Sequence, residues 1–138
     1  MNLAGFNFTK ISIEKKGDKP QDLKISTNID ISEISEIKSE VFKTREMILG
    51  IKFSYVLNYE KDFAKLTFEG NVLLAVEPKI AKDVLKQWKD KKIPDEFKFP
   101  LFNFILKKAN IKALQLEDEM NLPLHMPFPR IGKTEEEK

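Results

Sequence analysis

The sequence predicts an α+β fold, a four-stranded antiparallel sheet followed by two C-terminal helices. Three observations carry that expectation. From Met47 to Tyr59 every second residue is apolar or aromatic (Met47, Leu49, Ile51, Phe53, Tyr55, Leu57, Tyr59), a period that suits a strand with one buried face. The pattern returns after a short polar stretch, at Ala64, Leu66, Phe68, Gly70, Val72, Leu74 and Val76. Beyond Pro78 the apolar spacing becomes that of helices.

The first strand is read in "FNFTKISI". Phe6 and Phe8 share one phase and Ile11 and Ile13 the other, so a bulge is expected near Thr9–Lys10. "EKKGDKPQD" is a polar connection broken by Gly17 and Pro20. Leu23, Ile25, Thr27, Ile29 and Ile31 then alternate against Lys24, Ser26, Asn28, Asp30 and Ser32 as a second strand. "SEISEIKSEV" loses the period and reads as a loop, an irregular strand or one helical turn. The two long alternating runs are the third and fourth strands, joined through the polar tip "NYEKDF". Phe63, Leu73 and Ala75 fall on the second, outward face of the returning strand, beside a mixed set of Lys24, Asp30, Lys52, Lys65 and Glu69.

Pro78 suits the first position of a helix, where its missing N–H costs nothing. Ile80, Ala81, Val84, Leu85 and Trp88 form its apolar stripe, with Lys79, Lys82, Lys86 and Lys89 opposite. Asp95 and Glu96, after Pro94, are expected to cap a second helix running from Phe97 or Pro100 to Glu117. On it, Leu101, Phe102, Ile105, Leu106, Ala109, Ala113 and Leu116 should face the sheet. Phe97, Phe104 and Ile111 recur every seventh residue on a separate line. A helix covering one sheet needs a single stripe, so the second line is expected to meet a ligand, a subunit or the tail "LPLHMPFPRI" (Leu122 to Ile131).

The totals bound the function. The chain has 138 residues, 24 basic against 22 acidic side chains, a net charge of +2 and no cysteine. One domain over residues 1–131 is expected, ahead of a frayed charged tail at 132–138, "GKTEEEK". Disulfides and thiolate chemistry are excluded. No apolar run approaches a membrane span and no signal peptide opens the chain, so direct membrane insertion is not expected and a cytoplasmic address is.

Little catalytic chemistry is visible. The lone histidine, His125, lies between Leu124 and Met126 with no glycine-rich elbow nearby, and is read as a half-buried ring and not a catalyst. "LEDEM" (Glu117, Asp118, Glu119) lacks the alternation of a calcium loop and reads as a solvated acidic turn. No metal site, no phosphate-cradling loop and no cofactor are expected, and the chain is not read as an enzyme. The lysines around Lys79–Lys92 offer phosphate contacts, but no arginine or aromatic is interleaved on that face, and a solvated helix face is the preferred reading.

The order of these parts resembles the SecB family of export chaperones. "ILGIKFSYVLNY" followed by "AKLTFEGNVLLAVE" is similar to that family's third and fourth strands. "FKFPLFNFILKKA", with Phe99–Pro100, looks like its second-helix entry, and "NLPLHMPFPRI" resembles the segment that closes its fold. The resemblance covers most of residues 6–131. It implies an ATP-independent chaperone that holds unfolded or precursor polypeptides in an apolar groove, in the service of protein export. It also implies a homo-oligomer, a dimer or a tetramer built as a dimer of dimers, that would absorb apolar surface such as Phe63, Leu73 and the Trp88 helix. Docking to the SecA motor is not expected, because this chain lacks the acidic surface the bacterial members use.

Methionine and aromatic linings suit promiscuous capture of extended chains. Phe97, Phe104 and Ile111 on the helix, and Met120, Leu124, Met126 and Phe128 towards the C-terminus, are the expected peptide-binding residues. A second reading is an interaction or small-ligand-binding module with one specific partner, and a third is a nucleic-acid binder using the lysine helix.

Overall fold

The computed structural model describes residues 1–16, 24–38, 45–127, 129, 131 and 132. Four strands, β1 (Asn2–Lys15), β2 (Ile25–Ile37), β3 (Met47–Tyr59) and β4 (Ala64–Val76), precede two helices, α1 (Pro78–Trp88) and α2 (Asp95–Glu119). The sheet order is β1-β4-β3-β2, with every neighbouring pair antiparallel. The expected fold class therefore holds. Most of the polar connection after the first strand and part of "SEISEIKSEV" lie outside the described residues, as do residues 133–138 of the charged tail.

The alternation in β3 and β4 becomes one fully covered face. Leu49, Ile51, Tyr55 and Leu57 of β3 and Leu66, Phe68, Val72 and Leu74 of β4 have no exposed surface. Two-residue periodicity puts them all on the side over which the helices lie. The opposite face carries the exposed Asp30, Lys52, Lys65 and Glu69. Its Lys52–Glu33 pair, at 3.8 Å, is itself exposed and contributes at most about 1 kcal/mol.

The edge strands carry three register shifts, the first between Leu3 and Gly5 in β1, and the other two keep the strands in phase with this core. In β1 the register steps between Phe8 and Lys10, as the sequence predicts, so Phe6 and Phe8 face Val72 and Gly70 while Ile11 and Ile13 face Phe68 and Leu66. In β2 it steps between Ile31 and Glu33. The irregular strand is thus what forms through Ile37: skipping Ser32 lets Ile31 oppose Phe53 and Ile34 oppose Ile51, and both isoleucines are buried. A one-residue slip without the bulge would turn Ile34 to the outer face.

Gly70 stands across from the β1 bulge because no side chain fits there. A Cβ would meet the Asn7 carbonyl oxygen and come within 2.9 Å of the Phe53 ring. The room it leaves is filled by rings: Phe6 to Phe53 5.4 Å, Phe8 to Phe68 5.4 Å, and Tyr55 stacked on Phe68 at 5.5 Å. Such pairs add about 0.5–1.5 kcal/mol each beyond their burial.

Four expectations need correction here. Phe63 is not outward; it is buried, 6.4 Å from the Tyr59 ring, because Lys61 and Asp62 both take left-handed backbone angles (φ 58° and 54°) and turn it under the hairpin. Asp95 and Glu96 do not cap α2: Pro94 holds the N-cap place and the two acids lie in the first turn, where the helix dipole favours them. Phe99–Pro100 does not precede that helix but sits inside it. On α1, Ala81 and Val84 are buried while Ile80, expected in the same stripe, is exposed.

Both helices stop without glycine. After α1, Lys91 is left-handed (φ 59°), the Lys92 N–H reaches Gln87 O at 3.1 Å and the Lys91 N–H reaches Trp88 O at 2.8 Å. After α2, Asn121 is left-handed (φ 55°), with the Leu122 N–H on Glu117 O at 2.8 Å and the Asn121 N–H on Asp118 O at 3.4 Å. These paired bonds are Schellman turns, which satisfy orphan carbonyls and reverse the chain. The second turn aims the tail back along α2.

Candidate functional site

The buried residues of α2 are Phe97, Leu101, Ile105, Ala109, Ala113 and Glu117. Spaced by four, they drift about 40° per step around the helix, so different neighbours must cover its two ends. At the start, Phe97 shares a hollow with Ile80 and Val84 of α1 and is 2% exposed. Phe97 is therefore core and not a surface lining residue. At the other end, Glu117 has no exposed surface at all, although Asp118 and Glu119 beside it are exposed. The expected solvated acidic turn holds for those two and fails for Glu117.

What covers Glu117 is the tail and a tyrosine. The Tyr59 hydroxyl lies 2.5 Å from Glu117 Oε2 and 2.7 Å from the Pro123 carbonyl oxygen. His125 brings its backbone N–H to Glu117 Oε1 at 3.3 Å and its ring Nδ1 to both carboxylate oxygens at 3.0 Å. On the far side of the ring, Nε2 is 3.1 Å from Asn110 Oδ1, which also accepts from the Tyr55 hydroxyl at 2.7 Å. Glu117 and Asn110 are two turns apart, about 10.5 Å along the axis. The tail therefore runs back along α2 for that distance, over the β3 tyrosines. Burial first, and then the Glu117 charge, push both tyrosine hydroxyls well above their ordinary ionisation range; for Tyr59 the hydrogen bond to Glu117 adds to this.

Of the three partners expected for the second line, a ligand, a subunit or the tail, the described part of the tail is not the one. It does not lie along Phe104 and Ile111. Asn110 and Ile111 are successive residues, so the two lines sit about 100° apart around the helix. The Asn110–Glu117 line wins because it offers hydrogen-bond partners to the imidazole and to the tail backbone, which an aliphatic line cannot.

The expected peptide-binding residues consequently divide. Ile111 is 61% exposed on its flank of α2, with Phe104 half-buried on the same line. Leu124 and Met126 are 41% and 38% exposed on the docked tail, and Met120 is half-buried where the tail departs. Phe128 lies outside the described residues. Leu122 is buried at the start of the tail and the His125 side chain is covered, while Leu124 and Met126 on either side of His125 are exposed. Phe99, 62% exposed, is an apolar surface residue the sequence reading placed only in a helix-entry motif. It stands twelve residues from Ile111, about 18 Å along the helix, so those two do not form one patch.

Among the described residues no group of three or more histidine or acidic side chains is placed to hold a metal ion. No helix among them is long and apolar enough to cross a membrane.

No family model matches the chain, and no curated protein matches it. Among solved structures it is similar to the SecB-like chaperone of Mycobacterium tuberculosis, solved in complex with a ChAD peptide from the HigA1 antitoxin. The two are 13% identical over 96% of this chain and 91% of that one, with a TM-score of 0.53. At that identity the likeness establishes the fold, which is the SecB-like one.

Proposed function

We propose that this protein is an ATP-independent holding chaperone, binding extended apolar segments of non-native polypeptides along the surface of α2 and its docked tail. The observation that carries the reading is the outward pair Leu124 and Met126, held in place by buried polar anchors on either side of the ring of His125. A tail pinned this firmly keeps apolar side chains in water only at a cost, and a binding surface is the use that offsets it. The structural neighbour's bound antitoxin peptide supports a polypeptide ligand for this fold. Phe104 and Ile111, and Phe128 beyond the described residues, extend the same proposal to the other flank and the tail's far end. Cytoplasmic delivery of precursors for export and assembly into a dimer or tetramer belong to it as well; SecA docking does not.

The test is light scattering of a chemically unfolded client diluted into buffer, without nucleotide. Suppression near one oligomer per client, unaffected by salt and unchanged by replacing Lys82, Lys86 and Lys89 with Gln, is the expected result. Suppression that vanishes with salt would shift the reading to the lysine face. No suppression at large excess would leave a dedicated partner or ligand as the better account.

A further inference from the structure

We infer that the outer edge of β2 is a second binding site for extended polypeptide, taken up as an added strand, and that it selects a segment whose helix-side residues are apolar and then acidic. β2 ends the sheet on one side. It is 13 residues long, and from Ile25 to Ile31 it carries neither proline nor lysine, two common guards of a strand edge. Every second residue turns its N–H and C=O away from β3, and among the described residues nothing bonds to that outer row. β1, the opposite edge, is broken by two register shifts and carries Lys10 and Lys15.

This edge opens into a hollow of about 440 Å³ at the junction of α1 and α2, lined by Ile29, Asp30 and Ile31 from the strand. Successive side chains of a strand point to opposite faces, so a space that touches three in a row meets the strand edge-on. Across the hollow are Trp88, Ile93 and Phe102, all half-buried. Two ammonium groups stand over the rings: Lys91 Nζ is 4.5 Å from the centre of Trp88, and Lys98 Nζ is 5.6 Å from that of Phe102. Neither lysine is in an ion pair among the described residues. Asp30, the one acid among the described lining residues, has the outward phase of β2, opposite Ser54. A strand laid on this edge therefore meets rings and two unneutralised cations with its helix-side residues, and a carboxylate with its outer ones. That division fixes the ligand: apolar residues alternating with neutral polar ones, followed on the apolar phase by Asp or Glu. The backbone row serves any extended chain, and the rings and lysines supply the choice. The site deepens the holding reading by naming one class of client segment, and rests on that reading only in calling the ligand a client.

Trp88 is the only tryptophan of the chain, so its emission reports this hollow and not the tail. The probe is the capped peptide Thr-Leu-Thr-Leu-Thr-Asp-Thr, titrated into the full chain. The expected result is a saturable change in Trp88 emission, with a Kd about fivefold lower than for the same peptide carrying Gln in place of Asp, the scale of one well-placed exposed ion pair. Moving the acid one place, to Thr-Leu-Thr-Leu-Asp-Thr-Thr, turns it to the face of Asp30 and should remove the gain. Lys91→Asn combined with Lys98→Gln should bind all three peptides alike; Asn tolerates the left-handed angle at position 91. Only one edge of the added strand faces β2, so methylating the backbone nitrogens of the Thr residues, or those of the Leu and Asp residues, should abolish binding in one case and spare it in the other. No Trp88 response at millimolar peptide would overturn the proposal, as would equal affinity for the Asp and Gln forms, an Asp preference that persists in the double variant, or the same outcome from both methylated forms. Emission that shifts on dilution of the protein alone would give the edge to a second copy and overturn it too. The scattering test separates the two readings: suppression with a silent Trp88 keeps the holding chaperone and ends this site, whereas a Trp88 response without suppression keeps the site and ends the holding reading.

Discussion

Oε1 of Glu117 lies 3.0 Å from Nδ1 of His125, with neither side chain more than 6% exposed. This contact fastens the tail to the last helix, and Tyr59 fastens both to the sheet. A buried acid beside a buried imidazole is stable only as a completed set of partners, so removing one member strands the others.

Glu117→Ala should therefore lower stability by about 3–5 kcal/mol. Urea unfolding followed by circular dichroism measures it. A loss under about 1 kcal/mol, the scale of an exposed pair, would mean that the network does not hold the fold.

Alkaline pH should destabilise the protein through its tyrosines. Both hydroxyls ionise at higher pH in the folded chain than the ordinary value, which is about 10. Below that pH the two states bind these protons equally and the contribution is intact. Above it the unfolded chain releases protons first, so stability falls as pH rises. The chain has only two tyrosines, so phenolate absorbance reports this site alone. It should stay absent past about pH 10 and then appear cooperatively with loss of circular dichroism. Smooth titration near the ordinary value in a folded chain would contradict the buried placement.

Phe97→Ser and Ile111→Ser separate core from surface. The first should cost about 3–5 kcal/mol, as for other emptied aromatic sites. The second should stay within about 0.5 kcal/mol while weakening suppression of client scattering. Equal destabilisation by both, read from urea midpoints, would mean that Ile111 is covered.

Gly70→Ala places a methyl against the Asn7 carbonyl and the Phe53 ring. Because the first of these is backbone in a paired strand, relief requires moving β1, and a loss of about 1–3 kcal/mol is expected. Thermal unfolding unchanged from the native chain would mean that β1 does not close on Gly70 in this register.

Much of the architecture is legible in the sequence, because strand and helix periods are local properties. The alternation from Met47 to Val76 specifies β3, β4 and their shared face. The change of phase between Phe8 and Ile11 specifies the β1 bulge, which the Phe8–Gly70 and Lys10–Glu69 pairings realise. Pro78 and the stripe after it specify α1. The turns carry no such local mark, since Lys61, Asp62, Lys91 and Asn121 all adopt left-handed angles that glycine usually signals. Asn121 followed by Leu122–Pro123 was the readable stop signal at the end of α2.

The burial of Glu117 also had a local trace, since it continues the four-residue spacing of Leu101, Ile105, Ala109 and Ala113. Its carboxylate chemistry pointed the other way, to solvent. Which tendency prevails depends on Tyr59, 58 residues away, and on His125. Phe97 likewise belongs to the core only because α1 folds over it, and the tail takes the Asn110 side of α2 only because partners for an imidazole wait there. Sequence by itself determined which elements form and which faces they bury, through short-range periodicity. Tertiary structure alone decided which polar groups were buried together, because a buried polar group is tolerated only where distant segments bring it partners.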